Sequence, residues 1–192
     1  IAQEVSRQTD GAFDATVTPL VEAWGFGPHP ASGPPDEAAL QAAKERTGYR
    51  NIEVMEDNRV RKLRPDVYCD FSALAPGYAS DRIVHALELR GLRRCMAEVG
   101  GEVRALGANA SDQPWKIGIL RPVSHETEIQ RVVALDNLSV STSGDYREYH
   151  MQNGKRWSHT INPATGRPVE HALASVSVLH RECAWADAYG TA

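Results

Sequence analysis

Hydrophobic and polar positions repeat with two different periods along this chain, and the changes of period mark its elements. Over residues 36–47, Ala39, Leu40 and Ala43 fall on one face of a 3.6-residue repeat, and Gly48 follows as a stop. That pattern predicts an amphipathic helix. The same period recurs over residues 77–89, with Tyr78, Ile83, Val84 and Leu87 as its buried stripe and Gly91 as its end. Residues 18–24 read as a short helix, with Thr18 as N-cap and Pro19 in the first position. Residues 1–7 read as the tail of a helix begun upstream, and residues 183–192 as a further helix.

Elsewhere the period shortens to two. Residues 52–60 form a hairpin around Asp57-Asn58, and residues 67–70 a short strand. Strands over 95–99 and 103–106 are parted by Gly100-Gly101. From Trp115 onward strands are expected over 116–120, 131–135, 138–143 and 146–150, and Asn153-Gly154 turns the last of these into 156–161. Ser175 to Leu179 alternates as a half-buried strand does. Residues 25–35 are a proline-rich loop. Runs of strands interrupted by helices predict an α+β fold in a single domain, which 192 residues suffice to bury. The chain lacks an initiator Met and a signal peptide and stops inside its last helix, so a fragment missing both ends is expected.

Bulk chemistry removes several function classes. A composition 42% hydrophobic and 24% charged is that of a packed globular protein rather than a disordered one. The net charge of −4, with Arg90, Arg93 and Arg94 as a basic cluster too small to form a stripe, argues against nucleic acid as a partner. Cys69, Cys95 and Cys183 are too scattered for a zinc site, and no G-x-G-x-x-G, P-loop or G-x-S-x-G occurs.

What remains is a set of short polar motifs. Asp187 and Thr191 are four residues apart, so on a helix both side-chain oxygens share a face and can grip one hard cation. Asp70 precedes a helix start, where backbone N–H groups attract anions and a carbonyl can ligate metal; otherwise it caps a turn. Phe13 beside Asp14 can hold a planar ring and its polar edge, or Asp14 can cap a turn while Phe13 packs in the core. Ser141-Thr-Ser-Gly144 can surround phosphate oxygens or form a polar turn. His159, in an expected strand before the turn Asn162-Pro-Ala-Thr-Gly166, can accept a proton if it faces a cleft.

Taken in order, Gly11-Ala-Phe-Asp-Ala-Thr16, Asp70-Phe-Ser-Ala-Leu-Ala75 with Gly77-Tyr-Ala-Ser-Asp81, Val99-Gly-Gly101, Ser141-Thr-Ser-Gly144, His159-Thr-Ile-Asn-Pro-Ala-Thr-Gly166 and Ala186-Asp-Ala-Tyr-Gly-Thr191 resemble the FAD:protein FMN transferase (ApbE) family across nearly the whole chain. The resemblance implies an ApbE-like, T-fold-related set of mixed sheets packed with helices. It implies an enzyme that moves FMN from FAD to a Thr hydroxyl of a target flavoprotein subunit and releases AMP. FAD pyrophosphatase and non-catalytic FAD-binding module are the alternatives.

By position, the resemblance assigns magnesium to the Ala73 carbonyl, the Asp187 and Thr191 side chains and the Gly190 carbonyl. It assigns FAD contacts to Ala12, Phe13, Asp14, Asp70, Pro76 and Ile161, and the base to His159. Pro76 and Gly190 stand where many members carry polar side chains. The expected acceptor belongs to a membrane electron-transfer complex, and the expected location is the periplasm, on a lipid anchor at the inner membrane.

Overall fold

The computed structural model describes residues 1–27, 33–123, 128–146, 149–152 and 154–192. Most of the loop expected at 25–35, with His29, and the Asn153 turn position lie outside the described residues, as do residues 147 and 148 of the strand expected at 146–150. In chain order the elements are α1 (Ala2–Gln8), α2 (Thr18–Ala23), α3 (Glu37–Glu45), β1 (Ile52–Val54), β2 (Val60–Lys62), α4 (Ala75–Leu89), β3 (Cys95–Val99) and β4 (Glu102–Leu106). There follow β5 (Trp115–Leu120), β6 (Ile129–Leu135), β7 (Ser139–Gly144), β8 (Tyr149–Gln152), β9 (Lys155–Ser158), β10 (Ile161–Asn162), β11 (Arg167–Pro168), β12 (Ser175–His180) and α5 (Cys183–Thr191). The α+β reading holds. The chain divides into two compact units, residues 1–71 with 148–172 and 192, and residues 72–147 with 173–191.

The first unit joins three helices to three small antiparallel hairpins, β1–β2, β8–β9 and β10–β11. Its core is Leu20 and Trp24 of the α2 segment, Leu40 and Ala43 of α3, and Ile161 of β10. Burying each of the large side chains contributes roughly 1.5–3 kcal/mol. The Trp24 indole donates to the Gly166 carbonyl at 2.8 Å, so the Asn162–Gly166 turn is tied to α2. Asp36 caps α3 as its position implies, accepting from the Ala39 N–H at 2.7 Å. Thr18 is not a cap: Val17 occupies that place, and the Thr18 hydroxyl donates to Asp70 Oδ2 at 3.4 Å. Residues 67–70 form no strand; the Asp70 N–H donates instead to the Ala15 carbonyl at 2.7 Å.

The second unit is built on a four-stranded antiparallel sheet in the order β12-β7-β4-β3, with α4 and α5 packed against it and the β5–β6 hairpin beside it. Val103, Ala105, Leu135 and Val140 form its core. The stripe expected on α4 is displaced. Gly77, Ser80 and Val84 are buried, whereas Tyr78 and Ile83 are exposed. The reason is steric: a Cβ at Gly77 would stand 2.6 Å from the Cys183 carbonyl of α5, so the inward face admits small residues where the helices meet.

Candidate functional site

In the second unit, two helices grip each other at both ends of a single turn. Asp81 of α4 accepts from the Cys183 and Ala184 N–H groups that open α5, at 2.8 and 3.0 Å. One turn back along α4, the Gly77 N–H donates to Asp187 Oδ2 at 3.0 Å. This reciprocal clamp fixes the rotation of α5 and with it the direction of Asp187, which is 5% exposed. Thr191, four residues on and half-buried, lies on the same side of the helix. Gly190 packs on β7, where a Cβ would meet Ser143 Oγ at 2.7 Å. Ala73 sits in the turn that leads into α4, and half-buried Pro76 stands in that helix's first turn. Ala73, Pro76, Asp187, Gly190 and Thr191 therefore belong to one unit.

Two further groups complete this neighbourhood. Glu102 opens β4, and Asp187 with burial pushes its carboxyl up to about 7, burial being the larger cause. Burial likewise raises Asp187, opposed by the Gly77 N–H and the Ser141 hydroxyl. The Ser141 hydroxyl is buried near both acids yet makes no hydrogen bond of ordinary geometry. Glu102 escaped sequence reasoning, although an acid opening a strand of inward Val and Ala residues is the kind of signal that marks a buried charge. Asp81 lay within a recognised motif without a role; its place on the small-residue stripe after Gly77 and Ser80 was the available sign.

The first unit holds the remaining residues. Phe13 is buried and Asp14 is 7% exposed. The Asp14 carboxylate is fully engaged within the chain: Oδ1 accepts from the Thr16 N–H at 2.8 Å and its hydroxyl at 2.6 Å, and Oδ2 accepts from the Tyr49 N–H at 2.8 Å. The Thr16 hydroxyl also accepts from the Gly48 N–H at 2.7 Å. Thus Asp14 ties the loop before α2 to the turn after α3, with the Ala12 side chain left exposed at its edge. Ile161 is a core residue rather than a surface one.

His159 stands in a bend between β9 and β10, not within a strand, and is half-buried. Its ring meets Phe26 edge-on at 6.4 Å, and Phe26 stacks on His150 at 4.3 Å. His150 Nε2 lies 3.2 Å from the Gly25 carbonyl, so the aromatic set that orients His159 is anchored to backbone.

Among the described residues no three His, Cys, Asp or Glu side chains converge, so a cation in the second unit would draw on hydroxyl and carbonyl oxygens as well as on carboxylate. No described helix is long and apolar enough to cross a membrane.

Known proteins place this arrangement. The family model described as "ApbE family" matches residues 1–192. A FAD:protein FMN transferase of Salmonella typhimurium is 40% identical over 194 residues, covering 99% of this chain and 55% of that protein. One from Vibrio cholerae is 40% identical over 185 residues, covering 95% and 55%. Among solved structures, a flavin transferase ApbE from Vibrio cholerae superposes with a TM-score of 0.86 at 37% identity, covering 99% of this chain and 60% of that one. The apo form of the Pseudomonas stutzeri flavinyl transferase ApbE gives 0.85 at 36% identity, covering 99% and 58%. The chain thus spans about half the length of the curated relatives it matches. A family model that fits from the first residue to the last, with the helix–sheet arrangement of the solved relatives, makes this chain a member of the ApbE family.

Proposed function

We propose that the protein containing this chain transfers FMN from FAD to a Thr hydroxyl of an acceptor flavoprotein, with magnesium as cofactor. The observation that carries the reading is the family match over residues 1–192 together with a buried Asp187 held by a single backbone donor. A buried carboxylate with one hydrogen bond of ordinary geometry and no ion-pair partner among the described residues can take a cation.

The donor set fits magnesium. Asp187, Thr191 and the Ala73 and Gly190 carbonyls are all hard oxygens, and the buried Ser141 hydroxyl adds another near Asp187. Magnesium, when bound, supplies neutralisation of the diphosphate charge. The residues of the first unit do the rest of the work this reading requires. The loop of Ala12, Phe13 and Asp14, braced by Thr16 and Tyr49, offers a rigid edge for the flavin, with Asp70 tied to it through Ala15. His159 takes the acceptor Thr proton as the Thr oxygen attacks the phosphorus of the FMN half. The bond from that phosphorus to the bridging oxygen breaks, and AMP departs with the oxygen and its electron pair. Positioning and charge carry such a displacement, and a base adds about 10²–10⁴-fold.

As part of the same reading, the acceptor is a subunit of a membrane electron-transfer complex and the reaction is periplasmic, at the inner membrane; the family resemblance supports both.

The test incubates the full-length parent protein with FAD, magnesium chloride and a candidate acceptor subunit. Flavin fluorescence that stays on the acceptor through a denaturing gel, with one AMP released per label, is the expected result. AMP with free FMN would replace transfer by hydrolysis, and bound but uncleaved FAD would leave a binding module. For His159→Ala the expected outcome is FAD affinity within about threefold and transfer slowed about 10²-fold or more. An unchanged transfer rate would remove the base.

A further inference from the structure

Glu102 is a buried acid, 9% exposed, that the reaction drawn above does not use. Its position is set by the sheet. Antiparallel pairing of β4 with β7 puts Val103 beside Val140 and Arg104 beside Ser139, so the next step places Glu102 opposite Ser141. Cross-strand neighbours of this kind have Cβ atoms about 5 Å apart. The turn before β4 leaves the side chain room: a Cβ on Gly100 would come within 3.1 Å of Glu102 Oε2 and 3.3 Å of Pro76 Cβ. The carboxylate therefore sits beside Pro76 in the first turn of α4, whose next residue, Gly77, holds Asp187. Asp187 approaches from α5 in matching register, since Gly190, one turn on, lies against Ser143, two residues along β7 from Ser141.

Two independent observations give this acidic pair a purpose. The Ser141 hydroxyl is 1% exposed and lies where it favours the charged form of both carboxyls, yet it reaches neither with a hydrogen bond of ordinary geometry. Of the three buried side-chain polar atoms without a partner among the described residues, it alone is flanked by carboxylates; the others are Ser6 Oγ and Trp115 Nε1. Neither Glu102 nor Asp187 has an ion-pair partner among the described residues. Two buried like charges around one hydroxyl are unfavourable unless something positive joins them.

We propose that Glu102 is the second carboxylate of the cation site, sharing one divalent ion with Asp187 across the Ser141 hydroxyl. The proposal rests on the magnesium reading above and deepens it. With Asp187 alone a divalent ion would retain a net positive charge; with Glu102 the site is neutral, so magnesium loads before FAD brings its diphosphate. Glu102 thereby acts on the ion rather than on the substrate.

The probe is magnesium chloride alone, without FAD, added to the full-length parent protein and its variants. Calorimetric affinity and melting temperature are read with and without the ion. Glu102→Gln is expected to weaken magnesium binding about tenfold or more while the ion-free protein melts no lower than the parent, because one of two opposed charges is gone. Glu102→Asp keeps the charge and is expected to bind magnesium within about threefold of the parent. A Glu held only for packing would give the reverse, a lower ion-free melting temperature with affinity intact. If Glu102→Gln does not fold, Ser141→Ala takes its place and is expected to weaken binding about threefold. Magnesium affinity within twofold of the parent in Glu102→Gln overturns the role of Glu102; where that variant does not fold, affinity within twofold in Ser141→Ala overturns the sharing of the ion across the Ser141 hydroxyl. A parent protein that neither binds magnesium nor melts higher with it overturns the magnesium reading itself, and the two failures are told apart by the parent alone.

Discussion

Asp14 and Asp187 are both buried aspartates, one in each unit, and they are served very differently. Asp14 receives three hydrogen bonds from Thr16 and Tyr49. Asp187 receives one of ordinary geometry, from Gly77, and faces a second acid in Glu102. A carboxylate whose lone pairs are filled by its own chain is a brace. One that is underfilled, beside a like charge, is stabilised by taking up a proton or a cation. On the proposed reading, the contrast separates a carboxylate the fold uses for itself from one left for a cation.

The sharpest way to break that contrast is Asp187→Asn, which keeps an acceptor for the Gly77 N–H and removes the charge. Magnesium-dependent transfer is expected to fall about 10³-fold, with the ion-free melting temperature unchanged or raised. Activity within tenfold of the parent would make Asp187 a brace like Asp14. The converse change, Asp14→Ala, strands the Thr16 and Tyr49 N–H groups and should cost about 2–4 kcal/mol in urea unfolding. A cost below about 1 kcal/mol would show that the three hydrogen bonds do not hold that loop.

A smaller effect, in the ion-free protein, comes from pH. Glu102 and Asp187 both titrate above their unfolded values of 4.5 and 3.8, Glu102 at about 7. An acid whose folded value is raised leaves stability whole below the unfolded value and erodes it as pH climbs to the folded one. Melting temperature in chelator should therefore drop by several degrees between about pH 4.5 and 7, and Glu102→Gln should flatten most of that slope. A flat parent curve would mean that burial and the neighbouring acid do not hold the two carboxyls above their unfolded values.

Much of this protein was legible one segment at a time. The helices at Glu37–Glu45 and Cys183–Thr191, the hairpin at Ile52–Lys62 and the strand pair around Gly100-Gly101 follow from local period and turn residues. The Asp187–Thr191 pair follows from helix geometry alone. The buried face of α4 did not, because hydrophobicity points to Ile83 and Tyr78 while the close approach of Cys183 selects Gly77 and Ser80. Nor did the Asp70 segment, whose backbone partner, Ala15, lies more than fifty residues earlier in the chain.

The sequence by itself determined which oxygens and imidazoles are available and in what order, since those depend on covalent identity and on contacts a few residues long. Only the tertiary structure decided how each is employed. Asp14 is consumed by Tyr49, Asp81 is consumed by the first amides of α5, and Glu102 is brought beside Asp187 by strand register and helix packing. Burial and partner count set the free energy of a carboxylate, and both arise from segments tens of residues apart that meet only when the chain folds.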